Sequence, residues 1–194
     1  MARPKRVEST ESARQRIEEA YWELLEEMPY SRITISKLSR KAAVNHNLIY
    51  YYYENIDDLA EKTFIKNVES GQPQMMISAL LTNTVDVKMI MEDSLRQRAI
   101  HRMRLYMRDD SAYLNGIARG MIFSEWLKSI GVSENELLPE ERIDLNFIIN
   151  GVVATLGSKS FDEDMEKITG IAGRPLGRGI AETFMSIGKE RRNA

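Results

Sequence analysis

The chain has 194 residues, of which 43% are hydrophobic and 29% charged, the profile of a globular protein rather than a disordered one. It has no cysteine and only two histidines, His46 and His101. That excludes disulfides, thiol catalysis and cysteine-ligated metal sites and leaves little for a histidine-based one. No P-loop, no GxGxxG and no carboxylate–histidine spacing is present, so neither an enzyme nor a bound cofactor or metal is expected.

The longest apolar run, Leu145 to Leu156, is interrupted by Asn146 and Asn150 and is too short to span a bilayer, so no membrane partner is expected. The opening MARPKRVEST is basic and polar, without the apolar stretch of a secretory signal; a cytoplasmic setting is expected. The net charge of −2 hides an asymmetry. Residues 1–53 hold nine basic and seven acidic side chains, and the remainder 18 and 22. From Pro29 to Tyr53 there are four bases (Arg32, Lys37, Arg40 and Lys41) and no acid. A local basic surface on an acidic body suits contact with DNA at one end.

In chain order the periodicity is helical throughout, and the expected class is all-α. Ile17, Ala20, Tyr21, Leu24, Leu25 and Met28 make one apolar stripe that Pro29 stops. Thr34 is placed to cap a second helix carrying Ile35, Leu38 and Ala42 inward, and Asn45 a third with Ile49, Tyr52 and Tyr53 on its buried face. A fourth runs from near Asn55 to Gly71, and Gln72–Pro73 is the expected boundary between the two parts of the chain. Further helices are expected at about 74–83, 86–109, 111–130, 139–159, 162–170 and 175–191.

Thr34 to Leu59 is the informative stretch. Two short helices joined by a tight turn must share a small core, and Leu38, Ala42, Val44, Ile49 and Tyr52 occupy the positions that a helix-turn-helix needs, with small Ser39 at the crossing. Helical spacing turns His46, Asn47, Tyr50 and Tyr51 outward on the second helix, a face of hydrogen-bonding groups with no acid to repel phosphate.

The segments IEEAYWELLEE (17–27) and ITISKLSRKAAVNHNLIYYYYENIDDL (33–59) resemble the N-terminal domain of the tetracycline-repressor (TetR/AcrR) family over residues 9–68. The resemblance implies an N-terminal three-helix DNA-binding domain over 1–55 and a C-terminal helical effector-binding and dimerisation domain over 56–194. Carried over by position, it implies phosphate contacts at Thr34, Ser36, Tyr50 and Tyr51 and base contacts at Asn45, His46 and Asn47 on a near-palindromic double-stranded operator. An Asn can pair with adenine N6 and N7 together. Three positions depart from the family pattern. Ala43 stands where the turn usually has Gly, Leu48 replaces a usual Thr, and Ile56 a usual Lys. Arg3, Lys5 and Arg6 are either a solvated tail or an arm for the minor groove.

The helix bearing Arg96, Arg98, His101, Arg102, Arg104 and Arg108 is unusually basic. Those charges either pair with the acidic body or, in part, hold an anionic effector. Because the family places its effector cavity among such helices, the resemblance makes His101, Arg104, Tyr106, Met107, Phe123, Trp126 and Phe147 the candidate effector residues. The apolar members are by type more often core than pocket.

Ile143, Phe147, Asn150, Gly151, Ala154 and Gly157 share one helix face, and Leu176, Ile180, Phe184 and Ile187 a second stripe. The resemblance pairs two such helices from each subunit in a four-helix homodimer interface, with Phe147, Gly151, Ala154, Leu176, Ile180, Phe184 and Ile187 as candidates. Packing within one protomer is the other assignment. The expected function is a homodimeric transcriptional regulator, a repressor released by an unidentified small molecule; the alternative is a TetR-like architectural or protein-recruiting factor without an effector.

Overall fold

The computed structural model describes residues 5–71, 94–108, 110–160 and 170–187. Among these the chain is all-helical, without strands. The helices are α1 (Lys5–Glu27), α2 (Ile35–Ala42), α3 (His46–Tyr52), α4 (Ile56–Gly71), α5 (Ser94–Met107), α6 (Ala112–Ile130), α7 (Pro139–Leu156) and α8 (Pro175–Ile187). The helices expected at 74–83 and 162–170, and the start of that at 86–109, fall largely outside the described residues.

The chain divides into two compact units after Asn67. The sequence places a domain edge at residue 55 and the expected boundary between parts at Gln72–Pro73, on either side of this division. The difference from residue 55 has a cause: Asp57 accepts a hydrogen bond from the Tyr30 hydroxyl, and Lys66 Nζ lies 2.6 Å from Glu18 Oε2, so most of α4 is tied to α1 and the turn after it.

In the first unit the stripe on α1 is buried as its spacing demands, with Ile17, Tyr21 and Leu25 fully enclosed together with Leu38 of α2, Ile49 of α3 and Leu59 and Phe64 of α4. Each such side chain removed from water contributes about 1.5–3 kcal/mol. Trp22, outside the expected stripe, is also buried and packs its ring 5.5 Å from that of Tyr21. Tyr52, expected inside, is only half-buried, its ring between those of Tyr51 and Tyr53.

A carboxylate lies in this core. Glu18 is 6% exposed and receives three donors: Arg14 Nε at 3.0 Å, the Tyr53 hydroxyl at 2.9 Å and Lys66 Nζ at 2.6 Å. Arg14 Nε also donates to Tyr53 Oη at 3.3 Å. Burial pushes the Tyr53 phenol well above its ordinary value; Arg14 offsets part of this and the negative charge of Glu18 adds to it.

One turn chemistry occurs twice. At the end of α6, Gly131 adopts the left-handed conformation while Val132 N–H reaches the Leu127 carbonyl at 3.1 Å. At the end of α2, Val44 N–H reaches the Ser39 carbonyl at 3.1 Å in the same six-residue closure, but the left-handed residue is Ala43, φ 52°. A Cβ there is strained.

In the second unit α5, α6 and α7 pack on one another and α8 meets α6 and α7. Tyr106, Met107, Leu114, Ile122, Trp126, Leu145 and Ile149 form the core. Asn115 Nδ2 closes the α5–α6 turn by donating to the carbonyls of Tyr106, Arg108 and Ser111. Arg104 Nε does the same at the end of α7, donating to the Leu156 carbonyl at 2.9 Å. A Cβ on Gly157 would lie 2.0 Å from the Met107 carbonyl oxygen, so this glycine serves close packing inside the unit rather than the outer face on which its spacing placed it.

Two predictions follow from these geometries. Tyr53→Phe should lower stability by about 1–3 kcal/mol, since it takes one donor from a buried carboxylate. In the wild type the folded phenol holds its proton above the unfolded value of 10.0. Its stabilisation is therefore complete below that pH and is lost as pH rises beyond it. Denaturant melts on either side of pH 10 should show this alkaline loss shrinking in Tyr53→Phe, and an equal loss in both proteins would remove Tyr53 as its source. Ala43→Gly should stabilise by about 0.5–1 kcal/mol, the relieved left-handed strain less the extra freedom of glycine when unfolded.

Candidate nucleic-acid interface

The α2–α3 pair is assembled from local bonds. Thr34 Oγ1 accepts from Lys37 N–H at 3.3 Å to start α2, and Asn45 Oδ1 accepts from Leu48 N–H at 2.9 Å to start α3. Between them Ser39 Oγ donates to the Val44 carbonyl at 2.5 Å, so the residue expected at the crossing also satisfies the turn. Ile49 then points α3 inward with no exposure at all.

This fixes what faces solvent. His46 and Asn47 are exposed, Tyr50 is half open, and Tyr51 is 76% exposed, its ring edge-on to Tyr52 at 5.0 Å. Thr34 and Ser36 at the start of α2 are exposed too. All seven residues named from the sequence therefore reach the surface, and the five on or beside α3 lie on or at the start of a single helix.

Their chemistry differs. The caps leave Thr34 its hydroxyl proton and Asn45 its two amide protons as donors, and commit one of the two lone pairs of Asn45 Oδ1 to Leu48 N–H. Asn45 can donate to one base atom without leaving its cap. Asn47, exposed and outside the cap, can both donate and accept.

The basic residues also separate. Lys41 lies 2.6 Å from Glu27 and 3.1 Å from Glu23 on α1, and these hydrogen bonds, Glu27 first, raise its pKa. Its charge is matched by α1 and does not add to the face. Lys37 Nζ donates to the Arg32 carbonyl at 2.8 Å, which orients the ammonium without neutralising it. Arg32 and Arg40 are exposed and carry no ion pair among the described residues. Unmatched positive charge between Pro29 and Tyr53 thus comes from Arg32, Lys37 and Arg40, and Arg40 lines one depression with Asn45 and His46.

The start of α4, where Ile56 sits half-buried, is already satisfied by protein carboxyl and amide oxygens. Asn55 Oδ1 accepts from Asp58 N–H at 2.9 Å, and Asp58 Oδ2 accepts from Glu54 N–H at 3.0 Å and from Lys62 at 2.8 Å. Burial would raise the Asp58 pKa, but the Lys62 and Glu54 bonds outweigh it and the carboxyl is held low.

The candidate effector residues do not converge on one site. Tyr106, Met107 and Trp126 are buried in the core, His101 is exposed, and Arg104 is engaged with Leu156. Phe123 and Phe147 line two different depressions. Basic and aromatic composition had marked the helices but not which way each side chain turns.

The candidate interface residues divide. Phe147, Gly151, Leu176 and Ile180 line an apolar groove of about 540 Å³ along α7 and α8, and Ala154 is exposed on the same helix. Phe147 is 83% exposed. Phe184 instead packs its ring edge-on against Trp126, centroids 4.5 Å apart, and Ile187 is 2% exposed; these two belong to the protomer's own core. Ile148, Val152 and Pro175 also line the groove without having been named as interface candidates, although the first two follow from Phe147 and Gly151 as immediate neighbours. Among the described residues no group of three histidine or carboxylate side chains could hold a metal ion, and no helix is long and apolar enough to cross a membrane. Comparison of the chain with family models, with curated proteins and with solved structures returned no match.

Proposed function

We propose that this chain is a TetR-like, homodimeric DNA-binding regulator, a repressor in which α2 and α3 form the helix-turn-helix and the second unit carries dimerisation and effector binding. The observation that carries the reading is the division of α3. Ile49 is sealed in the core while His46, Asn47, Tyr50 and Tyr51 stand in solvent, and Arg40 lines a shallow depression with Asn45 and His46. A short helix presenting amide, imidazole and phenol groups, bordered by a cation and free of acids, suits a major groove.

The cations attract any duplex, and their contribution falls with salt. Base discrimination rests on Asn47 and His46. Dimerisation through the α7–α8 groove would set two such helices on a near-palindromic operator. A selection of bound duplexes from a random library tests the whole reading. An inverted repeat should emerge, and recovery of no preferred sequence would refute it.

Within that experiment, Asn47→Ala should cost about 1–3 kcal/mol and relax preference at one base position per half-site. Tyr50→Phe, which removes only a hydroxyl, should weaken all sequences alike. An unchanged selected motif with Asn47→Ala would mean that α3 docks in another register.

Assembly has its own probe. Phe147→Glu places a charge on a side chain that the isolated protomer leaves in solvent, so folding should be unaffected. A buried unpaired charge in the dimer would cost several kcal/mol. Sedimentation should show monomer for Phe147→Glu, and a variant that stays dimeric would place the interface elsewhere.

A further inference from the structure

A second depression, of about 530 Å³, lies between α6, the turn after it and α7, and falls in the size range of small-molecule sites. Its apolar part is Phe123, Leu127 and Val132, the last two buried. Three cations border it, Arg119, Lys128 and Arg142. Two are compensated: Lys128 pairs with Glu125 at 2.6 Å, and Arg142 pairs with Glu134.

Arg119 is different. Its Nε donates to the Asn115 carbonyl at 3.2 Å and its Nη1 to Asn150 Oδ1 at 2.8 Å, both neutral acceptors, and no carboxylate pairs with it among the described residues. These bonds hold the guanidinium between α6 and α7, while three of its five N–H donors remain for a ligand. Phe123 and Leu127 follow Arg119 at one and two turns along α6, so the fixed charge and the apolar surface lie in line.

We propose that this depression binds a small amphipathic monoanion, a carboxylate with an aromatic or aliphatic body. Its carboxylate pairs with Arg119 and its body covers Phe123, Leu127 and Val132. A single uncompensated charge matches one carboxylate rather than a polyanion such as a nucleotide, since the other two cations are already paired. The inference rests on the regulator reading only in naming this anion as the effector; binding itself requires no DNA.

Calorimetric titration of the full chain with phenylacetate and octanoate, against neutral phenylacetamide, tests it. At least one carboxylate should bind about tenfold or more tightly than the amide, as a charge-assisted bond to a fixed guanidinium predicts. Arg119→Gln, which can still donate to Asn150, should erase that preference and leave phenylacetamide unchanged. Gly120→Leu fills the depression from a helix position where an added Cβ meets nothing within 4 Å. It should abolish binding without lowering the melting temperature, because it replaces a helix-interior glycine. Absence of binding by both carboxylates, or affinities untouched by Arg119→Gln and Gly120→Leu, overturns the site. Operator binding by the same preparations separates the two readings: duplex bound without carboxylate binding refutes only the site, and carboxylate bound without duplex binding refutes only the regulator.

Discussion

The buried carboxylate of Glu18 is the constraint from which the first unit's geometry follows. An ionised group in a core is destabilising unless its oxygens are matched. Here Arg14, Tyr53 and Lys66 match them from α1, from the end of α3 and from α4. Apolar packing is tolerant of small rotations, whereas three donors converging on two oxygens are not. The cluster therefore specifies how the three helices meet, and it does so at the residue that terminates α3.

That placement matters because α3 has only seven residues, too few to be helical unaided. Its order comes from both ends and one side: the Asn45 cap, the Tyr53 anchor and the Ile49 plug. None of these uses the outer face. His46, Asn47, Tyr50 and Tyr51 are thus relieved of structural duty, and the helix is held stiffly enough to present them in a fixed pattern. Ala43 shows the opposite balance. A glycine would relax its turn, so that closure is held in place by the helices on either side rather than by local preference.

The first unit was the more legible in sequence because its signals are local. Caps at Thr34 and Asn45, a stop at Pro29 and an apolar stripe on α1 each act within a few residues. The outward face of His46, Asn47, Tyr50 and Tyr51 follows from helical spacing, whereas Thr34, Ser36 and Asn45 are named by the resemblance. The Glu18 cluster follows from neither, since its members lie as far as 48 positions apart and each reads as an ordinary surface charge or core tyrosine. The ties of α4 to α1 are of the same kind, made through contacts that no neighbouring residue announces. Periodicity also names a helix face without saying what covers it. On α8 the stripe from Leu176 to Ile187 is continuous in sequence, yet it starts in solvent at Leu176 and ends inside the core beyond Phe184. The effector residues were chosen by type, and type does not set direction.

Helix α7 shows how one element can serve three environments. Leu145, Ile149 and Val153 face the core. Arg142 and Asn146 border the depression shared with α6, and Asn150 accepts from Arg119 at its edge. Phe147 and Gly151 face the groove shared with α8. The polar and apolar edges lie about one residue apart around the same cylinder, so neither can shift without carrying the other. On the proposed reading, an anion on Arg119 draws on the guanidinium that α6 extends to Asn150, and the helix it meets is the one that carries the assembly face. A coupling of about 1–3 kcal/mol between ligand and assembly would suffice to change operator affinity 5–150-fold. Such coupling needs no hinge between distant sites; it needs only that the same backbone supply both surfaces, as that of α7 does.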